Sequence, residues 1–319
     1  MAAIDIFSRI GLPQEEVFKY FLQSTNFTRT VSPFFTIENF TSSGSTINTN
    51  TYFSLKSVFL DMLQFFVTVK EIAPGKKIVF DLNGWLKGTQ TIYFINDDKN
   101  STLIREKFEF SLYNQFNLPI LSLILSIFFY IDACIKHLRL RNVLYKNLEL
   151  TSSQKKNNFK NLFAIRSYIV VEADINEINS LFQDLNKFSL WLSPFVKIDL
   201  LSKENDFKHG KEFLLTFALP YLGSFQCRIN KNESNRVEIS FSNPVFSGIN
   251  TWSILPCENE VVIESALEID DASVYMKLLW LLLGNSFVRL ELNSWNKRLK
   301  DIVERTNLYK DMLVSPSGI

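Results

Sequence analysis

The stretch Leu118–Leu148, LPILSLILSIFFYIDACIKHLRLRNVLYKNL, changes character halfway along. Leu118 to Ile131 carries no charge, whereas the second half holds Lys136, His137, Arg139, Arg141 and Lys146. A second stretch, Tyr275–Val303, repeats the design as YMKLLWLLLGNSFVRLELNSWNKRLKDIV. Each reads as a long helix closing one of two similar domains over an apolar interior. Fourteen uncharged residues fall short of the ~20 that cross a bilayer. Extending the window back to Ser111 takes in Asn114, Gln115, Asn117 and Pro119. A buried core helix is therefore preferred to membrane-surface docking or a true span.

Working outward, the repeat extends over most of the chain. At an offset of 161, Val17, Tyr20, Phe21 and Phe27 fall on Ile178, Leu181, Phe182 and Phe188. Ser32-Pro33-Phe34 falls on Ser193-Pro194-Phe195, Ile37 on Ile198, and Ile78 and Phe80 on Ile239 and Phe241. After one deletion Gly88 and Thr91 meet Gly248 and Thr251. After another, Thr102 to Leu144 runs without a gap, with Ile104 on Ile263, Glu109 on Glu268 and Arg139-Leu140 on Arg298-Leu299. A drift of two residues over more than a hundred marks a duplicated unit rather than chance pairs. The expected layout is a first domain over 1–150, a polar linker over 151–161 (TSSQKKNNFKN), a second domain over 162–306 and a C-terminal tail over 307–319.

Each unit has the same order: a short strand, a helix, alternating strands, then the closing helix. The first helix starts at Pro13 with Glu15 and Glu16 in its first turn; its counterpart starts at Asp174 with Glu177 three residues on, a carboxylate cap with its capping-box partner. In the second unit Phe213, Leu215 and Phe217, then Phe225, Cys227 and Ile229, then Val237, Ile239 and Phe241 alternate with more polar neighbours. Period two predicts antiparallel strands with one dry face and one wet face. The fold class is therefore α+β, two curved antiparallel sheets each covered by a long C-terminal helix.

With that order in hand, the chain resembles the START-like superfamily, also called SRPBCC, the polyketide cyclase/dehydrase or Bet v 1-like group. The resemblance rests on VFKYFLQSTNFTRTVSPF and INSLFQDLNKFSLWLSPF, on Gly88 and Gly248 read as turns before a strand, and on the strands leading into the closing helices. It implies two helix-grip domains in tandem, each with a cavity for a lipid, quinone, isoprenoid, polyketide or other apolar molecule. Members include carriers and enzymes, so the fold leaves the activity open.

Composition narrows the classes further. A formal charge of +1 gives no whole-chain case for nucleic acid. Three cysteines without metal-like spacing fit a reducing compartment, and the N-terminus has no basic region followed by an apolar run. A cytoplasmic protein is expected. Between Ala133 and Arg166, eight Lys/Arg stand against Glu149 alone, so peripheral contact with an anionic membrane is the alternative to a solvated helix end and linker. Phosphate loops, nucleophile elbows and zinc motifs are missing from the sequence; no cofactor and no metal is expected. The sequence does not disclose protein partners.

The residue that stands out is Glu106. It interrupts an apolar strand face reading Ile104, Glu106, Phe108, Phe110, where the second unit has Ser265. A carboxylate in a dry interior raises its pKa unless paired, which would suit a general acid/base or a ligand anchor. The competing reading is a buried Glu bonded to Arg, Lys or Tyr, or turned outward by a bulge. His137 reads as a solvated or packing histidine in preference to a cavity acid/base, and His209 as a turn residue; Arg228 and Arg289 read as solvated rather than ligand clamps, and Trp191, Trp252, Trp280 and Trp295 as core rather than a stacking site. The expected lining is Phe94, Ile104, Glu106, Phe108 and Phe110 in the first unit, and Phe217, Cys227, Phe241 and Leu267 in the second. The leading expectation is binding, with transfer as an extension, of a hydrophobic small molecule. The alternatives are a cyclase, dehydratase or hydrolase using Glu106, and a ligand-free interaction module.

Overall fold

The computed structural model describes residues 2–314 apart from 31–34, 42–44, 50, 58–63, 85, 98–100, 113–126, 128, 141–163, 183–184, 193–195, 202–207, 218–222, 245 and 273–284. The chain divides into two compact units, Met1–Thr151 and Ser152–Ile319. The linker 151–161, both Ser-Pro-Phe tripeptides and Trp280 lie outside the described residues.

In the first unit β1 (Ala2–Ile10) leads through α1 (Gln14–Leu22) and α2 (Ser24–Thr30) into β2 (Phe35–Thr41), β3 (Tyr52–Ser57), β4 (Gln64–Ala73), β5 (Lys77–Gly84), β6 (Leu86–Asp97) and β7 (Ser101–Leu112). Helix α3 follows, described over residues 129–140. The seven strands form one antiparallel sheet in the order β1-β7-β6-β5-β4-β3-β2. The second unit repeats this as β8 (Ala164–Val171), α4 (Ile175–Leu181), α5 (Leu185–Trp191), β9 (Val196–Leu200), β10 (Glu212–Phe217), β11 (Ser224–Glu233), β12 (Arg236–Ser242), β13 (Phe246–Cys257), β14 (Glu260–Ala272) and α6 (Asn285–Val314). Its sheet runs β8-β14-β13-β12-β11-β10-β9, again antiparallel. Two units of the same element order, each a seven-stranded antiparallel sheet followed by a closing helix, therefore follow one another along the chain. Helix α6 continues to Val314, past residue 306 where the sequence suggested a tail.

The repeat holds at the level of strand register. Glu106 pairs with Ile6 and Ile92; at the equivalent place Ser265 pairs with Ser167 and Trp252. Asp174 caps α4 as expected, accepting from the Asn176 backbone N–H at 2.7 Å. Alternation is strict on β4, where Phe65, Val67 and Val69 are buried and Phe66, Thr68 and Lys70 exposed, and on β11 around Phe225, Cys227 and Ile229. It fails on β7 and β14. Leu103 and Arg105 are as buried as Ile104 and Glu106, and Val262 and Glu264 as buried as Ile263 and Ser265. The expectation of one wet face is corrected there, because a strand covered on both sides carries no period-two signal.

Gly88 and Gly248 are also reassigned. Both lie inside strands, β6 and β13, rather than in turns. A Cβ on Gly88 would strike the Glu109 carbonyl and sit 2.7 Å from Phe110 Cα; on Gly248 it would strike the Glu268 carbonyl and sit 2.6 Å from Phe241 Cζ. Close approach of the neighbouring strand explains these glycines.

The first core is built around aromatic edges. Phe18 and Phe21 of α1 meet Phe94 of β6 at 5.2 Å each. Phe129 of α3 reaches Phe35, Phe65, Phe108 and Phe110, which ties the helix to β2, β4 and β7. In the second core Phe182, Phe188, Trp191 and Trp252 pack edge-on or tilted. Trp191, Trp252 and Trp295 are core residues, as expected. No helix among the described residues is long and apolar enough to cross a membrane.

Candidate ligand-anchoring site

Helix α3 turns Phe129, Ala133, His137 and Leu140 into the unit, a spacing of three to four residues that makes one helical stripe. Two polar side chains on that side of the helix, Lys136 and His137, land above Glu106 on the inner side of β7. Gln90 of β6 reaches it from the sheet.

Glu106 is wholly buried and fully engaged. Its Oε1 accepts hydrogen bonds from Gln90 Nε2 and Lys136 Nζ, and its Oε2 lies 2.9 Å from His137 Nε2. Lys136 Nζ also stands 5.8 Å from the centre of the Phe108 ring, close enough for a cation–π attraction. Burial alone would push the Glu106 carboxyl up, but the Lys136 ammonium and the His137 hydrogen bond outweigh it and bring the pKa down to about 2. The expectation of a raised pKa is therefore corrected. The buried-and-bonded alternative describes the residue, with Lys136, His137 and Gln90 as partners. A carboxylate held ionised with both oxygens occupied is a weak base and has no proton to give at neutral pH.

The site's open valence lies on His137 instead. The ring is buried, which fits a packing rather than a solvated histidine, and among the described residues its Nδ1 has no hydrogen-bond partner. His209, by contrast, is an exposed turn residue whose Nδ1 meets the Asn230 carbonyl at 2.5 Å. Gln90, Lys136 and His137 were not singled out as site residues by sequence reasoning. The apolar stripe Phe129, Ala133, Leu140 was the available signal, since it places position 137 on the buried side.

The same position in the second unit is neutral and closed. Asn296 of α6 stands where His137 does, one register of 159 further on. Its Oδ1 accepts from Ser265 Oγ at 2.7 Å, its Nδ2 donates to Ser167 Oγ at 2.9 Å, and Ser167 Oγ donates to Asn293 Oδ1 at 2.5 Å. On the opposite sheet face the two units carry equivalent ion pairs of inverted sign, Asp5–Arg105 at 2.7 Å and Glu264–Arg166 at 2.9 Å.

The remaining expected lining residues fall on the inner faces. Phe94, Ile104, Phe108 and Phe110 are buried in the first core; Cys227 is buried in the second, with Phe217, Phe241 and Leu267 partly buried against it. Burial pushes the Cys227 thiol up to about 12, which leaves it unreactive. In the basic stretch Lys136 is turned to Glu106, and Arg166 to Glu264 and Glu268. Arg141, Lys146, Lys155, Lys156 and Lys160 lie outside the described residues. Arg228 and Arg289 are exposed, as expected.

No family model and no curated protein matches the chain. Among solved structures, the di-domain ARO/CYC StfQ from the steffimycin biosynthetic pathway is similar at 11% identity and a TM-score of 0.39, covering 95% of this chain and 99% of its own. The di-domain ARO/CYC BexL from the BE-7585A biosynthetic pathway gives 12%, 0.35, 95% and 99%. A START superfamily protein from Mycobacterium smegmatis gives 17% and 0.35 over 45% of this chain and 98% of its own. Strand order and register, rather than these superpositions, define the fold.

Proposed function

We propose that this pair of helix-grip units binds an apolar small molecule, and that the first unit anchors its polar end at the Gln90–Glu106–Lys136–His137 cluster. The observation that carries this reading is a charged cluster set into an otherwise phenylalanine-rich face with one nitrogen, His137 Nδ1, left without a partner among the described residues. Buried polar groups are normally satisfied, and an exception at the end of an apolar interior is what a ligand head group would complete. The apolar walls supply affinity at roughly 25 cal/mol per Å² removed from water. Glu106 acts as the fixed counter-charge to Lys136 and the hydrogen-bond acceptor that holds His137 in place, rather than as an acid or base.

Native mass spectrometry of the full chain, followed by solvent extraction, tests the reading. A co-purifying apolar compound that is displaced by competing hydrophobic molecules is expected. A protein that releases none, and takes up none from a lipid and isoprenoid extract, would instead be an interaction module with a filled interior.

A further inference from the structure

Resting on that reading, we infer that the first unit selects an apolar alcohol or phenol: the ligand's hydroxyl donates its hydrogen bond to His137 Nδ1.

The tautomer decides this. An ionised carboxylate can only accept hydrogen bonds, so the ring nitrogen facing Glu106 Oε2 at 2.9 Å, His137 Nε2, is the one that carries a hydrogen. With a single proton on the ring, Nδ1 is a bare lone pair, buried and, among the described residues, without a partner. It can be satisfied only by a donor. A ketone, ether or carboxylate presents acceptor to acceptor, and a carboxylate would add a second anion beside Glu106. An ammonium donor would bring a second cation beside Lys136 into an apolar surround. A hydroxyl meets the requirement with no net charge. On the same strand and helix as Glu106 and His137, Phe108 and Phe110 meet Phe129 at 5.7 and 5.4 Å, an aromatic surface on which a flat skeleton could pack.

The second unit provides an internal comparison. Its Asn296 uses its amide oxygen on Ser265 and its amide nitrogen on Ser167. Both groups of that amide are engaged within the protein, so the open acceptor on His137 has no counterpart at position 296.

The test uses the full chain and four probes on one skeleton: naphthol, its methyl ether, naphthalene and naphthoate, titrated by calorimetry. Leaving a buried hydrogen bond unmade costs about 1–3 kcal/mol, so naphthol should bind about ten-fold or more tightly than the methyl ether, with naphthoate weaker still. His137→Asn, which installs the residue of the second unit, should reduce that ratio toward one, with its fold checked by circular dichroism. Nitrogen NMR of the unsubstituted protein gives a readout that needs no variant in the site. His209→Asn assigns the two rings, and the His137 signal should show Nε2–H with Nδ1 bare, the latter shifting when naphthol is added. Equal affinity for naphthol and its ether, or a neutral ring protonated on Nδ1, would overturn the hydroxyl preference while leaving apolar binding intact. Failure of all four probes to bind would overturn the binding reading and the preference with it.

Discussion

At Glu106 the arithmetic of a buried charge is set by what surrounds it. Its desolvation is opposed by Lys136, His137 and Gln90 together, and removing the charge strands those partners. Glu106→Gln should therefore destabilise the first unit by about 3–5 kcal/mol, the usual cost of breaking a buried pair from one side; denaturant melts of the two proteins check it. The pH dependence follows from the sign of the shift. A carboxyl whose folded pKa is depressed to about 2 from 4.5 contributes stability above its ordinary pKa and loses it as pH falls toward about 2. The stability gap between the unsubstituted protein and Glu106→Gln should accordingly be full at neutral pH and narrow on acidification through that window. A gap that widens instead would mean the carboxyl is held neutral in the folded chain. Glu106 was legible as an oddity because it breaks an apolar run. Its partners were not, because Lys136 and His137 lie on a different element thirty residues on; helical spacing puts position 137 on the buried side, but nothing in a one-dimensional pattern says that this side meets Glu106.

The two closing helices present matching stripes to matching sheets. Ala133, His137 and Leu140 on α3 correspond to Leu292, Asn296 and Leu299 on α6, and all six are buried. Leu140→Ala and Leu299→Ala should each cost about 2–5 kcal/mol, read as loss in thermal or denaturant unfolding of the full chain. The strands make a tighter demand. With the adjacent strand's carbonyl against its Cα, Gly88→Ala should cost roughly 1–3 kcal/mol by overpacking, and Gly248→Ala should behave alike; a tolerated alanine at both would mean that the strands part easily. The stripe of α3 shows how far periodicity reaches. Spacing identifies the face, but Lys136 and His137 on that face read as solvent residues until a carboxylate is placed beneath them.

Across the whole molecule, duplication has kept geometry and let chemistry diverge. The outer-face ion pair survives in both units with its sign reversed, Asp5–Arg105 against Glu264–Arg166. What is preserved is therefore the pairing of opposite charges at that register, not the residues. Arg105→Glu alone should destabilise the chain strongly by burying an uncompensated carboxylate, and adding Asp5→Arg, which copies the second unit, should recover more than half of the loss in a double-mutant cycle. By itself the sequence determined the repeat, the antiparallel strands, the helix capped by Asp174 and the closing rods, since these are written in local period and in spacing that drifts by only two residues. The tertiary structure alone decided which side chains meet: that Glu106 is clasped rather than free, that His137 carries the open nitrogen, and that its counterpart Asn296 is closed off. Periodicity is a property of one element, whereas protonation and hydrogen-bond satisfaction belong to atoms that several elements bring within three ångströms of one another.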